Sequence, residues 1–319
     1  MVHFSPGEWV GFGAGVLALL ALDLGVLHRG AQRPGLLAAA GWSAAWVGIG
    51  LAFGAALATG WVGAYEPAAR GLASVDYLTA YLVELSLSLD NLFVFAMLFR
   101  VFGVAREHQH RVLFWGVVGA LGLRLVMIVG GLTLLAWFEW MLYGFGALLL
   151  WSAWRLWGAA DGGVAPANNP FLRLLRRIVP VSDHYDGARF FTMENGRRVA
   201  TPLLAVLVAV ETTDVLFAVD SVPAVLGVTR DPFLAYTSNV FAILGLRSLY
   251  FLLEGALDRF RLLHYALALM LGFIGLKMML GHVYPIPNTV ALAVVAVLVG
   301  GAIAGSLLAR PKNAPRSAG

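Results

Sequence analysis

Apolar runs of about 20 residues, the length that crosses a hydrocarbon core, recur along the chain. They cover Glu8–Leu27, Leu36–Gly60, Val75–Phe99, Arg111–Trp137, Trp140–Trp157, Thr201–Val225, Pro232–Leu253, Leu262–Leu280 and Pro287–Ala309. Each predicts a transmembrane helix, about nine in all. No basic region precedes the first run, which therefore reads as a span and not as a cleavable signal. The connections after odd-numbered runs, with the C-terminal tail, carry almost all of the loop arginines. The opposite loops hold only Arg70 and Arg230. By the positive-inside rule this predicts an N-terminus outside and a C-terminus in the cytoplasm. The long connection 158–200 is then cytoplasmic. Within it, the segment from Phe171 to Val179 alternates leucines with arginines and predicts a short helix lying at the headgroup layer.

Composition agrees with that pattern. The 319 residues are 60% hydrophobic and 13% charged, with a mean hydropathy of +0.80, whereas soluble domains carry about 25% charge. The fold class is an all-α polytopic membrane protein. Cysteine is absent, which excludes disulfides, thiolate metal sites and catalytic thiols. The pI near 9.6 reflects loop arginines that mark topology, so no nucleic-acid partner is expected. The partner expected from composition is the lipid bilayer.

The third to fifth and sixth to eighth runs read as two copies of one unit. Glu84-x5-Asp90-Asn91 in the third run matches Asp214-x5-Asp220-Ser221 in the sixth. Gly122-Leu123-Arg124 recurs as Gly245-Leu246-Arg247, and Tyr143 with Arg155 twelve residues on recurs as Tyr265 with Lys277. The first unit, 75–157, enters the bilayer from outside; the second, 201–281, enters from the cytoplasm. Inverted repeats of this kind build secondary transporters, whose sites lie near mid-membrane where the repeats meet.

The charges inside the runs say what such a site could hold. Six acids, Asp23, Glu84, Asp90, Glu211, Asp214 and Asp220, accompany three bases, Arg124, Arg247 and Lys277. A carboxylate at mid-membrane costs about 2.5–3.5 kcal/mol on insertion scales, so the excess of acids calls for a cation, protons, or both. Oxygen ligands select hard cations such as Mn²⁺, Mg²⁺ or Ca²⁺. The histidines near run ends and in loops argue against zinc or copper. Glu84, Ser88 and Asn91 share a helix face, as do Glu211 and Asp214. Six residues of regular helix separate side chains by about 120°, so Glu84 with Asp90, and Asp214 with Asp220, need a wide polar stripe or an unwound helix. Pro223 withdraws the donor for the Val219 carbonyl and predicts a break near Asp220.

At these residues the chain resembles the TerC (tellurium-resistance) family of integral membrane proteins. The resemblance rests on Ala21-Leu22-Asp23-Leu24 with His28-Arg29, on the segment from Leu87 to Phe95, on Glu211 to Ala224, and on Thr237 to Tyr250. It implies a bacterial inner-membrane protein associated with Mn²⁺ export and, by older naming, tellurite resistance. The family's acidic positions fall on Asp23, Glu84, Asp90, Glu211, Asp214 and Asp220, with Asn91, Ser221 and Asn239 beside them.

Together these expectations describe a secondary transporter that exports a divalent metal cation, Mn²⁺ first, with proton antiport as the coupling. Glu84, Asp90, Asn91, Asp214, Asp220 and Ser221 are the expected ligands. Asp23, Glu211, Arg124, Arg247, Asn239 and Lys277 are the expected supporting or proton-carrying residues. No prosthetic group is expected, and no nucleophile–base arrangement indicates an enzyme. The alternatives are another substrate, Ca²⁺ or an oxyanion held by Arg124 and Arg247, or a non-transporting scaffold in a stress-response complex. A homo-oligomer or a larger membrane complex stays open.

Overall fold

Prolines open four of the helices at the position where a missing amide hydrogen costs nothing: Pro6, Pro67, Pro202 and Pro232. Asp231 caps the last of these, its carboxylate accepting from the amides of Phe233 (2.9 Å) and Leu234 (3.2 Å). The computed structural model describes residues 6–27, 35–63, 65–158, 182, 184–194, 196–253, 261–281 and 283–308. The backbones of Asp23 and Asp90 are helical, but their side chains lie outside the described set, as does the expected interfacial helix Phe171–Val179.

The helices in chain order are α1 (Pro6–Leu27), α2 (Leu36–Thr59), α3 (Pro67–Val101), α4 (Arg106–Trp137) and α5 (Met141–Gly158), followed by α6 (Pro202–Leu226), α7 (Pro232–Leu244), α8 (Leu246–Leu253), α9 (Arg261–Leu280) and α10 (Asn288–Leu308). Six of them, α2, α3, α4, α6, α9 and α10, are long and apolar enough to cross a membrane. The single residue Gly245 separates α7 from α8, and the two make one interrupted rod. Every apolar run of the sequence is therefore helical, and the fold is an all-α polytopic membrane protein.

One expectation is corrected, and one element is new. The helix α6 runs unbroken through Asp220 and Pro223. Pro223 lies in its last turn, where the amides of Gly227, Val228 and Thr229 still close onto the carbonyls of Pro223 and Val225. A continuous helix forfeits one hydrogen bond at the proline, whereas an unwound segment would strand several polar groups in an apolar surround. At the α7–α8 boundary Gly245 keeps helical angles (φ −76°, ψ −15°), its carbonyl accepts from the Leu249 amide (3.1 Å), and a Cβ there would stand 3.3 Å from Trp46 of α2. A second surprise is a β-hairpin in the long connection. Strands β1 (Phe191–Glu194) and β2 (Arg197–Ala200) pair antiparallel, with Phe191 opposite Ala200 and Glu194 opposite Arg197. Gly196 turns the chain at φ 73°.

The hairpin sits against one end of the bundle. Tyr185 donates to the carbonyl of Phe102 (2.6 Å) at the end of α3, and the Thr201 amide donates to Phe190 (2.9 Å) as α6 begins. At the far end, Lys277 of α9 donates to the Gly227 carbonyl (3.3 Å) and to Asn288 of α10. The Asn288 amide donates in turn to Asp76 of α3 (2.6 Å) and to the Val228 carbonyl (2.9 Å). Nearby, burial and the Asp231 carboxylate push the Tyr65 hydroxyl up from its ordinary pKa, and Tyr65 donates to Asp231 at 3.0 Å. Exposed tryptophans mark both ends: Trp61, Trp137 and Trp140 at the far end, Trp154 and Trp157 near the other, as expected of interfacial belts.

Helices α5 and α9 approach most closely, backbone to backbone. A Cβ on Gly275 would lie 2.9 Å from the Gly146 carbonyl oxygen and 3.2 Å from the Leu150 nitrogen. Small residues at such a crossing let main chains touch and gain dispersion contacts. Gly275→Leu therefore lowers the stability of the detergent-solubilised protein by about 1–3 kcal/mol. Gly300→Leu, on an open face of α10, leaves it unchanged. Equal thermal midpoints for the two variants would contradict this account of the contact.

Candidate functional site

Glu84 lies at the middle of α3, and Arg124 and Asp214 lie near the middles of α4 and α6. All three are buried: Glu84 is 0% exposed, Arg124 1% and Asp214 4%. The Arg124 guanidinium bridges the two acids, pairing through Nη1 with Glu84 Oε1 and through Nη2 with Asp214 Oδ1 at 3.3 Å. The same Nη1 donates to Ser221 Oγ of α6 (3.2 Å) and to Asn239 Oδ1 of α7 (2.6 Å). One side chain of α4 thus touches three other helices. Ser88, one turn beyond Glu84, donates weakly to Glu84 Oε1 at 3.5 Å.

The bridge leaves polar capacity unused. Glu84 Oε2, Asp214 Oδ2, Arg124 Nε and Asn91 Nδ2 are buried without a hydrogen-bond partner. An unsatisfied buried polar atom costs about 1–3 kcal/mol, and more where it carries charge. Two acids against one guanidinium also leave one negative charge, in surroundings that solvate charge poorly. Two orphaned carboxylate oxygens and a residual negative charge suit a proton or a cation.

The remaining predicted residues are distributed around this centre. Glu84, Ser88 and Asn91 do form one buried face of α3. Ser221, expected as a ligand, and Asn239, expected as a supporting residue, both join the Arg124 bridge. Glu211, one turn before Asp214, is half-buried and rests on Gly119 of α4, where a Cβ would collide with its carboxylate. Arg247 and Asp214 line a cavity of about 20 Å³ among α3, α4, α6 and the α7–α8 rod, space for a single water.

Asp220 does not join Asp214. It turns to α5, where Ser152 donates to its Oδ1 at 2.6 Å, as the six-residue offset on an intact helix requires. The four-carboxylate ligand set is therefore not assembled among the described side chains, and no group of three acids or histidines there could hold a metal. Lys277 belongs to the far-end network and is well away from the bridge. Asp76, its partner through Asn288, was not predicted; it stands one residue inside the boundary of the third apolar run, where it passed for a loop residue. The hairpin had a clear signal in Asn195-Gly196 between two short apolar–polar segments.

Comparison with known proteins follows the same lines. Residues 70–314 match the family described as "Integral membrane protein TerC family", so the bridge and both ends of the bundle fall inside the match. The chain is 45% identical to "Uncharacterized membrane protein STKORF319" of Myxococcus xanthus, over 98% of this chain and 95% of that protein. It is 44% identical to an Escherichia coli K12 protein with the provisional name membrane-bound redox modulator Alx, over 91% of each. A membrane protein of Rickettsia bellii is 34% identical over 92% of this chain and 94% of its own length. No solved structure matches the chain. On the family match and these near full-length relatives, the chain belongs to the integral membrane protein TerC family.

Proposed function

We propose that the protein is a secondary transporter that expels a hard divalent cation, Mn²⁺ first, and returns protons. The observation that carries this is the buried pair Glu84 and Asp214, each with a carboxylate oxygen that no donor satisfies. Such oxygens at mid-membrane are what an oxygen-ligated cation needs. Asn91, two turns from Glu84 and with an unsatisfied amide of its own, would supply a neutral carbonyl oxygen once its amide group turns. Glu211 is the half-buried acid beside the pair and would carry protons. Asp23 and Asp90 keep their expected roles on sequence grounds, and Asp220 acts from the α5 side.

Packing supports the two-unit organisation. Helix α3 packs against α7 as α4 packs against α6, and α5 against α6 as α9 against α3; α5 and α9 pack on each other. Exchanging the unit α3–α5 with the unit α6–α9 leaves that set of contacts unchanged. A transporter built of two inverted units would have this property. The basic loops would set the hairpin end in the cytoplasm of a bacterial cell, with the protein in the inner membrane and its N-terminus outside. The reading requires no prosthetic group, no enzymatic step and no nucleic-acid partner. Redox modulation by thiols of this chain is excluded, since it has no cysteine. A protein exporting a redox-active ion would alter redox balance indirectly.

Purified protein in liposomes containing a metal-sensitive dye tests the proposal. Wild type carries Mn²⁺, and Glu84→Gln or Asp214→Asn slows the initial rate by more than the ~10–100-fold that a supporting residue costs a metal site. Asp220→Asn is milder. Flux that survives both substitutions in the pair, or that fails only in Asp220→Asn, would sink the assignment; absence of flux for any divalent ion would favour a scaffold.

The coupling has its own test. Protons run opposite to the metal, so an acidic lumen accelerates Mn²⁺ entry into inside-out vesicles, and a protonophore removes the acceleration. An intact flux indifferent to an imposed pH gradient would refute proton antiport.

A further inference from the structure

We infer that Arg124 is a displaceable counter-cation: its guanidinium occupies the cation's place between Glu84 and Asp214, and the metal binds by driving it out. The inference rests on reading that pair as the cation site. It adds a competitor built into the chain.

Geometry gives the first reason. The guanidinium contacts one oxygen of each acid, from two helices that belong to different halves of the fold. A cation bridging the same two carboxylates would have to occupy the same gap or stand within a few ångströms of the guanidinium. Charge gives the second. The pair with Arg124 carries one negative charge; a divalent cation added beside Arg124 would make the three groups net positive. The same cation in place of Arg124 makes the pair neutral. In surroundings that are 0–4% exposed, the neutral arrangement is favoured, because little solvent remains to screen like charges.

Arginine chemistry gives the third. Guanidinium does not deprotonate in proteins, so Arg124 cannot leave the acids by losing its charge. It can leave only by moving. Two of its four polar partners, Ser221 Oγ and Asn239 Oδ1, are neutral and can still accept from the guanidinium once it has left the carboxylates. Metal entry would then release α4 from its ionic hold on α3 and α6, which ties occupancy of the site to the relative position of helices. Arg124 acts here as a positioning residue for the acids and not as a ligand.

Glu211 supplies the competing arrangement. If it joined the pair as a third acid, metal and Arg124 could sit side by side at net zero charge. The two arrangements part on one measurement. Mn²⁺ affinity is determined for full-length wild type, Arg124→Ala and Arg124→Lys, followed by titration of free guanidinium ion below denaturing concentration. Displacement predicts that Arg124→Ala binds Mn²⁺ about tenfold tighter or more. It also predicts that guanidinium raises the apparent Kd of Arg124→Ala in proportion to its concentration, while wild type does not respond. In liposomes the same variant shows a lower KM and a lower kcat. Arg124→Lys, whose single ammonium cannot span both acids and both neutral acceptors, binds Mn²⁺ with an affinity between the two and serves if the alanine variant fails to fold. Guanidinium that leaves Mn²⁺ binding unchanged or strengthens it in Arg124→Ala would overturn displacement, as would weaker binding by Arg124→Lys than by wild type. Wild type that binds and carries no divalent ion overturns the transport reading as well; wild type that carries Mn²⁺ alongside variants with unchanged affinity overturns only the role of Arg124.

Discussion

A charge that enters hydrocarbon must bring its partner with it, and the Glu84–Arg124–Asp214 bridge is where this chain meets that demand. Three helices each commit one long or acidic side chain to the centre of the bundle, and a fourth, α7, adds Asn239. Removing one member of a buried ion pair typically costs about 3–5 kcal/mol, because the survivor stays buried and uncompensated. With Arg124 the cost would be compounded, since two carboxylates would lose their counter-charge together. The bridge thus ties α3, α4, α6 and α7 together at mid-membrane, within the apolar packing that the same helices share.

The same demand is met at the ends of the bundle with weaker means. At the far end, Lys277 reaches Asp76 only through Asn288, and the Gly227 and Val228 carbonyls complete the set. At the hairpin end, Tyr250 donates to Gln109 (3.0 Å) and Gln109 to the Val104 carbonyl (3.2 Å), joining α8 to the start of α4. Fully buried charges pair directly at mid-membrane, while nearer the ends Asn288 mediates between Lys277 and Asp76 and the direct pair Asp186–Arg189 is open to solvent. That gradient is what a falling dielectric penalty toward the interfaces predicts. It leaves the central bridge as the element with most to gain from a cation or a proton.

Helix existence and position were legible in the sequence because the hydrophobic signal for a membrane span is one-dimensional: length and apolarity decide it. The buried charges were legible for the same reason, since Glu84, Arg124 and Asp214 are anomalies against an apolar background. Their partnerships were not. Arg124 and Arg247 sit in identical Gly-Leu-Arg triplets, and nothing local tells that Arg124 is the one to bridge Glu84 and Asp214. The error at Pro223 has a physical source as well. A proline disfavours a helix in water, where freed carbonyls find solvent; in an apolar bundle an unwound segment costs more than the one bond a proline removes. Asp220 then follows its helix, and the 120° offset that the sequence already implied carries it to Ser152. The hairpin was overlooked although Asn195-Gly196 announced it, since short strands carry little weight beside long apolar helices.

The two Gly-Leu-Arg triplets also show how copies of one pattern come to differ. At Gly122 nothing lies within 4 Å of where a Cβ would stand, and α4 passes through unbroken. At Gly245 a Cβ would stand 3.3 Å from Trp46 of α2, and the α7–α8 boundary falls there although the glycine keeps helical angles (φ −76°, ψ −15°). Helix α4 delivers Arg124 to Glu84 and Asp214, while α8 holds Arg247 on the wall of the small cavity that Asp214 also lines. Alternating access requires such a difference. Two inverted units in one conformation would make the protein alike on both faces of the membrane, and a site open equally to both would be a leak. Under the proposed cycle, the different placement of the two arginines, Arg124 on the Glu84–Asp214 bridge and Arg247 on the wall of the cavity beside it, is the local distinction between the units.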